Sequence, residues 1–227
     1  MYARTTLIDI AASRVNELVT IVEGGLRALA VSLPGSLGLS LLCDRASGRC
    51  VVTTAWDTDR AMRDSFVPLT TASDEIGRRL GGTPVPEEWE VADLHRLRRS
   101  GPGFWSRSTR VEFEPLDAEA VLQIYRSTTV PELELLTGFC SATLLLDPAR
   151  GRGVSTVTYD TYAALAGSRH RAGEIRRTST ERAHARVGEV MELEVAVAAI
   201  TLPGEARWSA RWPARTAARS PRRLSAR

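Results

Sequence analysis

Two segments of the chain, 103 residues apart, carry the same pair of polar residues at alternate positions. Arg4 and Thr6 lie in the first segment, and Arg107 and Thr109 lie in the second. Residues two apart in a strand point to the same face of a sheet. A guanidinium at the mouth of a pocket can hold an anionic oxygen of a substrate, because its fork of N–H donors matches planar acceptors. The alternative interpretation is a strand-end arginine whose head group extends into solvent.

Three further side chains could contribute to binding or catalysis. Trp56 and Tyr159 occupy equivalent places in the two segments and could stack on an aromatic substrate, with packing in or beside the core as the alternative. His170 could act as an acid or base, because an imidazole titrates near neutral pH. Its alternative role is that of a solvated residue on a helix, within the polar run 168–171.

Several kinds of site are not indicated by the sequence. His95 and His184 have no cysteine or carboxylate spacing that would suggest a metal site. No glycine-rich phosphate loop, nucleophile elbow or paired-carboxylate motif occurs in the chain. The candidates are therefore the two arginine-containing segments and the residues near them.

These segments belong to a duplicated sequence. Residues 33–62 align without a gap with residues 136–165, and residues 3–10 align at the same offset with residues 106–113. Identities occur throughout the alignment and include Gly35/Gly138, Asp44/Asp147, Gly48/Gly151, Thr53/Thr156, Asp57/Asp160 and Ala61/Ala164. Two copies of one small domain are fused. A duplicated unit with self-complementary edges can form within one chain the interface that a homodimer forms between two.

The periodicity of each copy predicts the order strand, helix, strand, strand, helix, strand. Polar and apolar residues alternate over residues 4–10, as in a strand, whereas residues 12–33 have apolar residues at helical spacing and are stopped by Pro34 and Gly35. The later elements of the first copy are predicted as strands at 37–43 and 49–56, a helix from Asp57 to about Leu80 that Pro68 must end or kink, and a closing strand at 87–94.

This order predicts an α+β fold made of two ferredoxin-like units. Two right-handed crossovers give a four-stranded antiparallel sheet with both helices on one face. The other face is predicted to carry Leu7, Val51, Thr53 and Ala55, which is too apolar to leave in water. We therefore expect the two units to pack sheet to sheet as an α/β barrel within one chain.

The alignment also sets the expected boundaries. We expect the first unit at 1–97, a linker at 98–104, the second unit at 105–200 and a tail at 201–227. The tail is rich in arginine and has no counterpart in the repeat, so we expect it to be disordered. Basic segments with aromatic residues can bind nucleic acid. The chain has no lysine at all, which is typical of GC-rich coding sequence, so nucleic-acid binding is not the function we expect.

The composition is that of a globular protein, with 43% hydrophobic and 25% charged residues. Cys43, Cys50 and Cys140 are odd in number and are not repeated between the copies, which favours reduced thiols over a disulfide framework. The most apolar stretch, residues 26–42, is interrupted by proline and glycine, and no signal segment opens the chain. We expect a cytoplasmic protein that does not cross a membrane.

The run Pro34-Gly-Ser-Leu-Gly-Leu-Ser-Leu-Leu42, followed by a hairpin into Val51-Val-Thr-Thr-Ala-Trp56-Asp-Thr-Asp-Arg-Ala61, resembles the antibiotic biosynthesis monooxygenase domain of the dimeric α/β-barrel superfamily. The second copy matches more loosely, and the resemblance covers nearly all of residues 1–200. It implies the fold described above. The family is mixed in function and includes cofactor-free oxygenases of aromatic polyketides and haem-degrading enzymes.

The resemblance can be tested against the haem-degrading branch. That branch builds its pocket from an asparagine on the first strand, a tryptophan on the second helix and an iron-ligating histidine further along that helix. The positions that correspond here hold Thr6 or Thr109, Ser65 or Ser168, and Asp74 or Arg177. None matches, so neither haem nor another cofactor is expected. Ser65 and Ser168 remain candidate substrate-binding residues.

Two classes of function follow from the resemblance. The first is a cofactor-independent monooxygenase, an oxidoreductase that acts on a small aromatic or polyketide-like substrate. The second is a non-catalytic pseudo-dimer that binds a small ligand or has a regulatory role. We expect a monomer that is internally a pseudo-dimer. The sequence does not decide whether such monomers form a higher oligomer. Because His170 stands where the first copy has Val67, we expect a ligand to bind mainly the second copy, with His170 as the candidate catalytic residue.

Because the haem-pocket residues are absent, we predict that the protein does not ligate haem through a histidine. Titration of the protein with haem should give no sharp Soret shift of the kind that histidine ligation produces, because no histidine stands at the ligand position. Absorbance spectroscopy with and without a reductant measures this. Saturable one-to-one binding followed by reductant-dependent loss of the Soret band would overturn it.

Overall fold

The computed structural model describes residues 1–201 and 207–209. The strands are β1 (Tyr2–Asp9), β2 (Ser36–Cys43), β3 (Arg49–Trp56) and β4 (Val85–Arg96) in the first unit, β5 (Trp105–Glu112), β6 (Phe139–Asp147), β7 (Arg152–Tyr159) and β8 (Arg186–Ile200) in the second, and β9 (Arg207–Ser209). The rest of the predicted tail lies outside the described residues. Among the described residues, no helix has the length and apolar character needed to cross a bilayer.

The helices occupy equivalent places in the two units. They are α1 (Val15–Ile21), α2 (Arg27–Ser32), α3 (Asp59–Asp64) and α4 (Phe66–Leu80) in the first unit, and α5 (Ala118–Ile124), α6 (Val130–Glu134), α7 (Tyr162–Gly167) and α8 (Arg169–Arg182) in the second. A π-helical turn joins α1 to α2 at Val22–Leu26, and another joins α5 to α6 at Tyr125–Thr129. The predicted long first helix is therefore one helical stretch with a wider turn inside it.

Identical residues in the two copies form the same local structures. Thr58 and Thr161 cap the helices that follow β3 and β7, since each side-chain oxygen accepts a hydrogen bond from a backbone N–H in the first turn. Gly35 adopts a positive φ of 73°, and a Cβ there would collide with the carboxylate of Asp57. Gly138 has the same geometry in the second copy.

The second helix of each unit is broken at a serine rather than at a proline. Ser65 separates α3 from α4, and Ser168 separates α7 from α8. Pro68 lies within the first turn of α4, where an amide N–H has no helical partner to lose. The helix does break close to Pro68, as predicted, but the second copy breaks at the same place without a proline, so the break does not require one.

Each unit contains the predicted four-stranded antiparallel sheet. In the first unit the strand order is β4-β1-β3-β2, with Arg4 opposite Thr54 on one side and Glu88 on the other. In the second unit the order is β8-β5-β7-β6. The helices cover one face of each sheet, so the ferredoxin-like prediction is confirmed.

The two sheets join edge to edge through the long strands β4 and β8. Residues 85–90 of β4 pair with β1 of their own unit, and residues 90–96 pair with β6 of the other unit. In the same way, residues 186–194 of β8 pair with β5, and residues 194–200 pair with β2. The eight strands close into one antiparallel barrel. The intrachain α/β barrel is confirmed, and β9 pairs with β4 at residues 93–95.

Strand sharing also makes each hydrophobic core depend on the other unit. Ala92 of β4 is buried in the helix-side core of the second unit, and Ala196 and Val197 of β8 are buried in that of the first. A buried ion pair adds to this, because Arg126 of the second unit donates to the fully buried carboxylate of Asp93 at 3.0 Å. Neither unit completes its core alone.

This interdependence makes a prediction about a cut chain. Introducing a protease site between Arg99 and Gly103 and cleaving the folded protein should leave two fragments that stay associated, because β4 and β8 remain paired with the opposite unit. Analytical ultracentrifugation measures the association. The shared-core account would be wrong if either half, prepared separately, were a well-folded soluble monomer.

Candidate functional site

Arg4 and Arg107 are buried, with exposed fractions of 3% and 5%. Arg107 donates to Ser168 Oγ at 2.9 Å, to the carbonyl oxygen of Leu165 at 2.9 Å and to Glu192 Oε1 at 2.8 Å. Arg4 makes the matching contacts with Ser65 Oγ (2.9 Å), the Met62 carbonyl (2.7 Å) and Glu88 (2.7 Å).

The interpretation of these arginines as strand-end residues that reach solvent is therefore wrong. The break between the two helices leaves the carbonyls of Met62 and Leu165 within reach, and a guanidinium satisfies them. Ser65 and Ser168 bridge the arginine to the same carbonyl, since each hydroxyl donates to it. This arginine, serine and glutamate arrangement ties the helix break to the sheet in both units.

A cavity lies between sheet and helices in each unit, and the two differ in size. The cavity of the second unit has a volume of about 80 Å³, and that of the first about 20 Å³. Arg107, Thr109 and Tyr159 line the larger cavity, and Arg4 and Thr6 line the smaller. The walls of the larger cavity are mainly apolar and include Val111, Val121, Leu133, Leu144, Val157 and Ile175.

Two tyrosine hydroxyls are buried in the larger cavity. Tyr125 opens the π-helical turn, and its hydroxyl lies 3.5 Å from Ser155 Oγ; burial raises the pKa of this phenol. Burial also raises the pKa of Tyr159, although Ser168 and Arg107 beside it oppose the rise. The Tyr159 hydroxyl has no well-formed hydrogen bond within the described structure. Both phenols stay protonated at neutral pH and can donate to a ligand.

Arg176 adds a positive charge to the same cavity. It lies on α8, is half-buried and has no acidic partner among the described residues. Burial, and next the charge of Arg107, lower the pKa of Arg176. The guanidinium of Arg107 is neutralised by Glu192, whereas that of Arg176 is not, so the cavity as a whole favours an anion.

The structure corrects the expected position of His170. Its side chain is 91% exposed and lies 3.3 Å from Glu174 on the outer face of α8. The buried face of this helix carries Ala172, Ile175 and Ser179, and a residue two positions before Ala172 points to the opposite side. His170 does not line the cavity and does not face the sheet.

The remaining candidates separate into packing and cavity residues. Trp56 is fully buried, donates to Thr54 Oγ1 at 3.2 Å and lines neither helix-side cavity, so the packing interpretation applies to it. Tyr159, at the equivalent position, does line the cavity. Sequence reasoning missed Tyr125 and Arg176. A comparison of the two copies could have found them, because the equivalent positions in the first copy hold Val22 and Ser73.

The pairing of Glu192 predicts a pH dependence of stability. Hydrogen bonds from Arg169 and Arg107 lower the pKa of Glu192 below its ordinary value. A carboxyl whose pKa is depressed on folding contributes stability above its unfolded pKa, and this contribution is lost as the pH falls through the folded pKa.

Glu192→Gln should therefore lower the free energy of unfolding at pH 7 and weaken its decline below about pH 4.5. Urea unfolding at several pH values measures this, with the exposed Glu181→Gln as the control. A Glu192→Gln variant with the same acid decline as the parent would exclude this role for the pair.

Comparison with known sequences finds relatives of this chain. No protein-family model matches the chain. Two proteins of Mycobacterium tuberculosis strain H37Rv, both called uncharacterised, are similar along most of their length. Rv2557 is 36% identical over 89% of this chain and 91% of its own, and Rv2558 is 38% identical over 89% of this chain and 86% of its own.

Solved structures with low sequence identity share the architecture. A Fusobacterium nucleatum protein provisionally called a monooxygenase superposes with a TM-score of 0.66 at 11% identity, covering 92% of this chain and 97% of its own. An anthrone oxidase-like protein superposes with a TM-score of 0.64 at 14% identity, covering 93% and 97%. The chain therefore belongs to the family of Rv2557 and Rv2558, and it shares with these solved structures the fold of an α/β barrel, here with both halves in one chain.

Proposed function

We propose that the larger helix-side cavity binds a small aromatic anion and that the protein is a cofactor-independent monooxygenase. The observation that carries the proposal is Arg176, a half-buried cation beside Arg107 with no acidic partner among the described residues. A cation in that position stabilises a bound phenolate, or the anion formed when a substrate loses a proton. The name of the anthrone oxidase-like neighbour supports the same class of substrate.

The proposed reaction needs no external reductant. A CH2 group between aromatic rings, as in anthrone, loses a proton to give a phenolate-type anion. Dioxygen adds to that carbon, and the peroxide is protonated and loses water to leave a carbonyl group. One oxygen atom enters the product, the other leaves as water, and the conversion of CH2 to C=O supplies all four electrons. The protein must therefore stabilise the anion and keep its surroundings apolar.

Each group in the cavity can take a part in that task. Arg176 and the remaining N–H of Arg107 face the negative charge. Tyr125 and Tyr159 act as hydrogen-bond donors to its oxygen, because their raised pKa values keep them protonated. The aliphatic walls exclude water from the reacting carbon. At about 80 Å³ the cavity suits one ring, so a larger substrate would extend through its opening.

One observation favours the alternative, a non-catalytic ligand-binding pseudo-dimer. No carboxylate or imidazole lines the cavity in the part of the chain that the structure describes. The site therefore supplies no strong general base, and a substrate must lose its proton to solvent or bind already ionised. Under the alternative, the aromatic anion binds in the same place but is not oxidised.

The test measures both binding and oxidation. With 1-naphthol as a probe, absorbance titration should show that its pKa is lower when bound than when free. Arg176→Ser, which restores the residue of the first copy, should weaken binding of the naphtholate by about tenfold and remove that shift. Arg177→Ser is the matched control, because Arg177 is exposed on the same helix.

Oxygen uptake with anthrone separates the two functions. The parent should consume oxygen and form anthraquinone in a one-to-one ratio, and Arg176→Ser should be slower. Binding without oxygen uptake would support the ligand-binding alternative. Naphthol that binds only in its neutral form, or equally to both variants, would contradict the anion site itself.

A further inference from the structure

A second and larger cavity occupies the lumen of the barrel. Its volume is about 610 Å³, in the range of cavities that hold small-molecule ligands. All eight barrel strands contribute side chains to it, and most of these are small or hydroxyl-bearing. They include Ala3, Ser40, Thr53, Val91, Ser106, Thr143, Thr156 and Val195. An eight-stranded barrel is just wide enough for side chains to fill, so these short residues leave the lumen open.

The mouth of the lumen is positively charged. Arg96 ends β4 and lines the cavity; its Nε is buried without a hydrogen-bond partner, and it has no acidic partner among the described residues. Burial, and next the charge of Arg99, lower the pKa of Arg96. Arg98 at the same mouth is held by Asp160 at 2.9 Å. Among the described residues no carboxylate lines the lumen.

One wall of the lumen is apolar. Val91, Leu94 and Leu145 form a buried cluster on the lumen side of the sheet with Ala3. A cationic rim above a lumen that has an apolar wall and otherwise uncharged, hydroxyl-bearing side chains can accommodate a molecule with one negative end and a hydrophobic body. Arg96 is half-buried, and its Nε–H is buried without a hydrogen-bond partner, so a carboxylate placed beside it would supply the missing acceptor.

We propose that the barrel lumen is a second ligand site, which takes an amphipathic carboxylate with its head group on Arg96 and Arg99 and its apolar body in the barrel. The sheet separates this site from the cavity of the proposed monooxygenase. Residues along β5 alternate between the two, with Ser106 facing the lumen and Arg107 facing the helices. The lumen site therefore does not rest on the proposed function.

Calorimetric titration of the full chain with dodecanoate, below its critical micelle concentration, tests the proposal. Dodecanoate should bind saturably at one site, and dodecanol, which has the same chain length without the charge, should bind at least tenfold more weakly. Arg96→Gln should lower the dodecanoate affinity at least tenfold. Arg60→Gln is the matched control, since Arg60 is an arginine on the exposed surface.

Two further variants make the test decisive. Thr143→Phe places a ring in the open lumen and should abolish dodecanoate binding without lowering the melting temperature. This variant tests the lumen site even if Arg96→Gln fails to fold. Arg176→Ser should leave dodecanoate binding unchanged. The proposal is overturned if the full chain does not bind dodecanoate, if Thr143→Phe binds it as the parent does, or if Arg176→Ser alone removes binding.

Discussion

The structure depends on the pairing of two long strands with both units. β4 and β8 each begin in their own sheet and end in the other, which closes the barrel and leaves no free edge between the units. The same strands bring Ala92 and Val197 into the opposite cores. Because closure fixes the distance between the sheets, the size of the lumen depends on the side chains that face it.

Fusion of the copies let the two helix-side cavities diverge on a common frame. Both units keep the buried arginine that joins the strand, the helix break and a glutamate. Around that frame the second unit has Tyr125 and Arg176 where the first has Val22 and Ser73. The frame is structural in both copies, because its donors are mostly used within the protein. The added phenol and cation distinguish the second cavity and make it the better candidate for chemistry.

The sequence predicted the parts of the fold that local pattern and repetition determine. Alternation over residues 4–10 indicated β1, and the identical glycine at 35 and 138 marked the turn after the first helix. The C-terminal end of β4 was placed too early, because residues 95 and 96 pair with β6 of the other unit. Burial of Arg4 depends on a carbonyl 58 residues away and a glutamate 84 residues away, and the orientation of His170 depends on where the helix breaks. Neither can be obtained from spacing alone.

The central claim is that Arg176 is the anion-binding group of the second unit. Nitrogen-15 NMR of the arginine side chains reports on it directly, with the Nε–H resonance of Arg176 assigned by its loss in Arg176→Ser. Addition of 1-naphtholate should shift this resonance strongly and slow its exchange with water, whereas the resonance of Arg4 in the first unit should not move. Equal small shifts at many arginines, with no change at Arg176, would contradict the account.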